Sequence, residues 1–258
     1  MPAKLHPTAH IEPGAQLGQN TEIGPFAYIG ASVQLGDDCV IHHHATVDGN
    51  TRLGSGNEVF PYAFIGGRTQ DKKWTGDSAP IEIGDDNIFR EFCTVHPATF
   101  MDGSTAIGSR NLFCAYSHIG HECAVGSDCV FSNNATLGGH VVVGDAVVIG
   151  GLTAVHQFCR IGSGAMIGGC CKVLQDILPN ALAEGYPVTH RSVNVVGMQR
   201  RGFSEDAVRR AKQIHKIFFR SAYNRTQAIA ALEASELVDS PEAQQALAFI
   251  ASSQRGLA

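Results

Sequence analysis

The 258-residue sequence predicts an all-β parallel β-helix of hexapeptide repeats, triangular in section, closed by a C-terminal α-helical domain. Three observations predict it: an aliphatic residue at every sixth position, glycine or a small residue at fixed places around it, and helical spacing after about residue 203. From Leu5 to Val173, 26 of 29 six-residue steps hold Ile, Leu, Val or Phe, and the exceptions are Asp71, Asp77 and Met101. Period six fits neither the 3.6-residue helix nor plain strand alternation. It suits a solenoid in which each hexad supplies one short strand and one corner, with about 18 residues per coil. Nine to ten coils would stack to about 45 Å at ~4.8 Å per rung. The residue after the aliphatic is glycine at 15 steps, which reads as easing a tight turn. The fifth residue is usually small, as at Ala9, Ala15, Thr21 and Ala45, and fills the corner.

The elements follow in chain order. Residues 1–190 read as the β-helix. An excursion over 68–80 is polar, contains the only tryptophan, Trp74, and breaks the pattern. A long excursion from a regular solenoid marks a functional loop more often than a tolerated insertion. A shorter interruption covers 100–106. The hexads dissolve after Pro179, and residues 191–258 form the tail, which caps the open end of the coil. Ser204 is the N-cap of a helix carrying Val208, Ala211, Ile214, Ile217 and Phe218 on one face. Two further helices are expected over 226–237 and 240–252, the last with Ser240 as cap and Pro241 at its first position.

Composition excludes several classes. Hydrophobic residues make up 44% and the net charge is only −5, so the chain is not disordered. Glycine does not recur every third residue, which excludes collagen. No apolar run reaches membrane-spanning length, and the N-terminus lacks an apolar signal core. The eight cysteines form no Cys-x-x-Cys pair; reduced thiols and a cytoplasmic location are expected. Six of them (Cys39, Cys93, Cys123, Cys129, Cys159 and Cys171) occupy the small fifth position, where packing explains them. Charge is segregated: residues 191–225 carry nine Lys/Arg against Glu205 and Asp206, 9 − 2 = +7, while the rest sum to 10 − 22 = −12. Such a patch suits an anionic partner, and its few interleaved aromatics argue against nucleic acid. Among twelve histidines, His42, His43 and His44 diverge from one hexad as an exposed cluster. His121, His140 and His156 are spaced close to one coil apart and should stack near one edge.

Four runs resemble the UDP-N-acetylglucosamine 3-O-acyltransferase family: Ala115 to Cys123 (Ala-Tyr-Ser-His-Ile-Gly-His-Glu-Cys), Asn133 to His140, Gly150 to Phe158, and Arg200 to Ser204. The resemblance spans nearly the whole chain, and its three His-bearing runs in order are far more specific than the hexads alone. It implies a left-handed coil, a homotrimer with clefts between protomers, and no cofactor or metal. It implies transfer of a 3-hydroxyacyl group from acidic acyl carrier protein to the 3-hydroxyl of UDP-N-acetylglucosamine, the first step of lipid A synthesis. His121 matches the general base, a task suited to imidazole. Glu122 stands where the family commonly has Asp to position that base. The Gly139 N–H matches the oxyanion donor. Asp71, Lys73, His96, His118, His140, His156 and Gln157 match substrate contacts, and Asn194, Arg200 and Arg201 match the nucleotide end. Gly169 matches the position that limits acyl length; its lack of a side chain leaves room for a longer chain. The basic patch then has the acidic carrier as its partner.

The sequence departs from the family at Pro97 and Ala98, at Val196, and at Gly185-Tyr186-Pro187-Val188. These departures leave the acceptor open between a 3-hydroxy and a 3-amino UDP-sugar. Three rivals stand beside this reading. The later N-acyltransferase of the same pathway carries an extra N-terminal domain, whereas hexads here begin at Leu5. A γ-type carbonic anhydrase would bind stoichiometric zinc through stacked histidines, and a binding module would hold carrier protein without transfer.

Overall fold

The computed structural model describes residues 1–76 and 79–258; Asp77 and Ser78, inside the predicted excursion, fall outside the described residues. Strands of two or three residues run from Lys4–Leu5 to Lys172–Val173 and wind as a left-handed parallel β-helix. They align into an eleven-, a nine- and an eight-stranded sheet, the three faces of a prism. Lys4 pairs with Glu22 and His118 with Thr136, each eighteen residues on, which is the coil length expected from the hexads.

The two interruptions explain why the six-residue step never loses phase. Phe64 pairs with Thr94, thirty residues on, and Thr94 with His118, twenty-four on. The insertions are therefore twelve and six residues beyond one coil, whole multiples of the hexad. Asp71 and Met101 break the aliphatic rule because they belong to the insertions and not to the coil.

The aliphatic register points inward. Ile29, Ile41, Val59, Ile119, Leu137 and Ile149 are fully buried. Phe89, Phe113 and Phe131 stack down the axis with ring centroids 4.9 Å apart at each step. Apart from Gly66, at φ +85, the glycines that follow the aliphatics do not act as expected. Gly120 and Gly138 have ordinary φ, and a Cβ on them would lie 2.8 Å from the Leu137 carbonyl and 2.9 Å from the Gln157 nitrogen of the next rung. They permit coil-to-coil approach. The left-handed corner conformation falls two residues later, on side chains such as Phe26, Asp38, His44, Tyr116, Asn134 and His140.

The fifth position is not always small. Asn57, Asn87 and Asn111 are buried there on successive coils. The Asn87 Nδ2 donates to Asn57 Oδ1 at 3.0 Å, while its Oδ1 accepts from the Asn111 backbone N–H at 3.0 Å and from Asn111 Nδ2 at 2.9 Å. Asn87→Ala strands both Asn111 donors. Each buried orphan costs ~1–3 kcal/mol, so the variant should lose about 3 kcal/mol or more and unfold at lower denaturant. An unchanged denaturation midpoint would remove the ladder as a source of stability.

The three corners differ in chemistry. One carries a column of exposed rings: Phe26, His44, Tyr62, Phe92 and Tyr116, stacked at centroid spacings of 5.1, 5.2, 5.2 and 4.8 Å. His44 is thus part of a column, whereas His42 pairs with Glu58 at 2.7 Å. A second corner is mostly polar, with Asp38, Asp86, Arg110 and Asp128, and continues through Ala146 and Gly164 to Asn180. The third holds Glu122, His140 and Phe158.

After the last hexad strand, a hairpin of Ala181–Gly185 and Val188–Val193 joins the eleven-stranded sheet. Four helices follow: α1 Val195–Arg200, α2 Glu205–Phe219, α3 Arg225–Glu233 and α4 Pro241–Ala251. Ser204 and Ser240 cap α2 and α4 as expected, each accepting from the third N–H beyond it. The helix expected over 226–237 is shorter and begins earlier, at Arg225, because Asn224 closes a capping box with Gln227. It stops at Glu233, where the Ser235 hydroxyl turns back onto the Leu232 carbonyl at 2.7 Å, a local bond that competes with the helix.

Candidate active site

The site lies on the nine-stranded face and the corner that follows it. The outward strand residue and the four that follow it carry the chemistry on four consecutive coils: Thr94 to Ala98, His118 to Glu122, Thr136 to His140, and Ala154 to Phe158. In the column next to the strands, His96 and His156 bracket Gly120 and Gly138. The two glycines leave a trough between two imidazoles.

His121 and Glu122 form the centre. The His121 Nδ1 contacts a Glu122 carboxylate oxygen in a very short hydrogen bond. The other Glu122 oxygen accepts from the Thr99 backbone N–H at 2.6 Å. With Nδ1–H given to Glu122, Nε2 carries the lone pair and can accept a proton. The ring lies against Gly139, where a Cβ would come within 2.8 Å of Nδ1 and closer still to Nε2 and Cε1. Gly139 is glycine because the imidazole occupies the place of its side chain. Among the described residues the Gly139 N–H donates to no backbone carbonyl, whereas the adjoining Gly138 and His140 N–H groups bond to Val155 and His121. Other corners share that free N–H; the imidazole beside it is particular to this one.

His140 packs edge-on to His121 at 5.3 Å and stacks on Phe158 at 4.6 Å. This corrects the expected stack of three histidines. The column continues through Phe158, eighteen residues beyond His140; His156 falls two positions short, is exposed, and its Nδ1 turns to the Gln157 carbonyl at 3.0 Å. Gln157 lies beside it, also exposed.

His96 and His118 sit edge to face at 4.8 Å. Burial, then the neighbouring His118 and His121, push the His96 pKa down to about 4. Burial and His121 also lower that of His118, which shares a 2.8 Å hydrogen bond with Thr94. Both act as neutral hydrogen-bonding groups at pH 7. The excursion loop folds back to this face: Asp71 accepts from the Lys73 N–H at 3.0 Å and from the Thr99 hydroxyl at 3.2 Å. The Lys73 N–H is the main cause holding the Asp71 carboxyl below its usual range; desolvation opposes it, and Thr99, His121 and the Lys73 charge add to the lowering. Lys73 itself is exposed. Arg68 covers Trp74 at 4.5 Å in the same loop.

One group of potential metal ligands stands out among the described residues. His121, Glu122 and His140 offer ligand atoms within 4.8 Å of one another. Burial pushes the Cys93, Cys123 and Cys129 thiols up to about 12, so none of these three is a ready nucleophile.

Not every expected residue joins this group within one chain. Asn194 caps α1 and its amide donates to the Gly164 carbonyl at 2.9 Å. Arg201 bonds to Gly197 and Asn180 and covers Phe203 at 4.9 Å. Both lie at the polar corner, a different edge of the prism from His121, and Arg200 beside them is exposed. Gly169 lies on the side of the ring column, where a Cβ would lie 3.2 Å from the Gly151 carbonyl. Thr99, which nothing in the sequence singles out, touches Asp71, His121 and Glu122. The basic patch is also thinner than its count. Arg210 is clamped by the buried Glu242 at 2.7 and 3.1 Å, and Arg220 and Arg225 donate to the Arg191 and Ile250 carbonyls. Arg209 pairs with Asp206 at 2.7 Å yet stays exposed, as do Lys212 and Lys216.

A profile of the second domain of UDP N-acetylglucosamine O-acyltransferase matches residues 176–258, and one of six bacterial transferase hexapeptides matches residues 14–49. The chain is 46% identical over 254 residues to the acyl-[acyl-carrier-protein]–UDP-N-acetylglucosamine O-acyltransferase of Anaeromyxobacter dehalogenans, covering 98% of both chains. It is 42% identical to that of Thiobacillus denitrificans, covering 99% of both. Among solved structures, LpxA from Acinetobacter baumannii superposes with a TM-score of 0.94 at 38% identity, covering 98% of both chains. The UDP-N-acetylglucosamine acyltransferase of Bacteroides fragilis gives 0.95 at 36%, covering 98% of this chain and 99% of that one.

Proposed function

Because this chain belongs to the acyl-[acyl-carrier-protein]–UDP-N-acetylglucosamine O-acyltransferase family, we propose that it moves a 3-hydroxyacyl group from acyl carrier protein to the 3-hydroxyl of UDP-N-acetylglucosamine, at the entry to lipid A synthesis. The observation that carries this reading is His121, pinned by Glu122 at Nδ1 and lying over the Gly139 corner with Nε2. The sugar hydroxyl gives its proton to Nε2 as its oxygen attacks the thioester carbonyl. The Gly139 N–H holds the developing oxyanion. The intermediate collapses to the ester, the carrier thiolate leaves, and the imidazolium returns the proton to it. Glu122 stabilises that imidazolium and fixes the ring. Asp71 and neutral His96 and His118 orient the sugar along the Gly120–Gly138 trough.

The working unit is a homotrimer of about 82 kDa, three times 27.4 kDa. Asn194, Arg200 and Arg201 stand on a different edge from His121, so they reach a nucleotide bound there only from a neighbouring protomer. The exposed ring column from Phe26 to Tyr116 flanks the same face and supplies apolar surface for that packing. Gly169, beyond it, would lie beside the acyl chain.

The acidic carrier docks on the exposed cations of α2. Arg210 is excluded from that surface by its pairing with Glu242, so a reversal there would bury two carboxylates together. Reversing Arg209, Lys212 and Lys216 to Glu should raise the KM for carrier about tenfold at low salt, chiefly through association, and leave the fold intact. An unchanged KM at low salt would mean these cations are only solvated. The reading as a whole is tested by mixing the chain with 3-hydroxyacyl carrier protein and either UDP-N-acetylglucosamine or its 3-amino analogue. Release of carrier thiol with the first supports it. Stoichiometric bound zinc with no thiol release would replace it with the anhydrase reading.

A further inference from the structure

We infer that Thr99 is a positioning residue for the base, coupling the excursion loop to the His121–Glu122 pair. Its contacts come from both halves of the residue. The backbone N–H holds one Glu122 oxygen at 2.6 Å. The hydroxyl lies 3.2 Å from Asp71 Oδ2, 3.3 Å from His121 Nδ1 and 3.4 Å from the second Glu122 oxygen. Thr99 is 1% exposed, so these groups have little water to substitute for it.

A hydroxyl has one proton to donate and two lone pairs to offer. Between two carboxylates, the proton goes to one of them. The shorter contact, 3.2 Å to Asp71 against 3.4 Å to Glu122, favours Asp71, which leaves the Glu122 oxygen to take the Nδ1–H of His121. Thr99 thereby separates two carboxylates that would otherwise compete for the same imidazole proton. If Asp71 captured it, the ring would turn and Nε2 would leave the Gly139 corner. The segment that carries Thr99 is built for this placement. Pro97, Ala98 and Thr99 are all buried, and the Ala98 Cβ fills the space beside Gly103, where a Cβ would lie 3.0 Å away. The other charged or titratable groups around the ring are His140 on its own corner, His96 just after one strand and His118 on the next, and Lys73 on the loop. Among the described residues, none of these hydrogen-bonds to the Thr99 hydroxyl.

The inference rests on the acyltransferase reading, and the experiment separates the two. Thr99→Val keeps the shape and the backbone N–H and removes only the hydroxyl. It should lower kcat about tenfold, with the KM for UDP-N-acetylglucosamine changed less than threefold, and Thr99→Ser should recover most of the loss. Groups that act as one unit are not additive, so in a Glu122→Gln background Thr99→Val should cost less than twofold. Trimer mass and melting temperature are recorded for each variant. A tenfold loss repeated in the Glu122→Gln background, a loss confined to KM, or a loss that tracks a lowered melting temperature would overturn the positioning role. If His121→Ala, assayed alongside, keeps its turnover, the acyltransferase mechanism itself fails instead.

Discussion

His121→Ala should lose at least 10²-fold in acyl transfer while keeping its trimer mass and its affinity for the UDP-sugar. A sugar hydroxyl is a weak acid, and hydroxide is scarce at pH 7, so a positioned base is worth ~10²–10⁴ in rate. The lower bound corresponds to about 3 kcal/mol of barrier. The ring is not a structural prop: it lies in the corner register outside the inward aliphatic column, and Ala there removes no core contact. His140→Ala and His156→Ala should lose less, since His140 packs on the base and His156 turns away from it. Near-normal turnover of His121→Ala at saturating substrate would remove it as the base, and His118 would be next to examine.

Gly139→Ala should do comparable damage without replacing any reacting side chain. Its new Cβ would fall inside van der Waals contact of the His121 ring along the Nε2–Cε1 edge. The ring cannot slide aside freely, because Glu122, Thr99 and His140 hold its other sides. A displacement of about 1 Å at a reacting group can cost ~10²-fold. The signature is non-additivity: Gly139→Ala added to His121→Ala should cost little more, because the ring it displaces is already gone. Full activity of Gly139→Ala would show that the imidazole works from another position.

The fold was largely legible because a solenoid repeats its physics every coil. The hexad phase predicted the inward column and its length, and it survived the excursion because that insertion is two hexads long. What it misassigned was local. The glycines after the aliphatics read as turn formers, yet Gly120 and Gly138 serve close packing between rungs while residues such as His140 take the left-handed corner. The buried Asn57–Asn87–Asn111 ladder was invisible, since one amide at a corner looks polar and becomes satisfied only when its copies align on adjacent coils.

The site was legible in part. The runs around His121 and His140 were readable by resemblance, and the structure brings His121, Glu122, Gly139, His140 and Asp71 together. Counting residues failed for His156, because a spacing of sixteen lies two short of a coil and turns the side chain to another column. Thr99 escaped notice because its partners arrive from the excursion loop and the next coil. The Arg210–Glu242 pair joins α2 to α4 across 32 residues, so a count of local charge overstated the free patch.

A single-turnover reaction tests the central claim most directly. Enzyme in excess over 3-hydroxyacyl carrier protein is mixed with UDP-N-acetylglucosamine, quenched at intervals, and both product and intact protein mass are read. The account predicts that the 3-O-acyl sugar nucleotide appears in step with free carrier thiol, that the protein mass never changes, and that both signals vanish together in His121→Ala. An acyl adduct on the protein that forms and decays at the rate of turnover, or product formed at the same rate without His121, would contradict it.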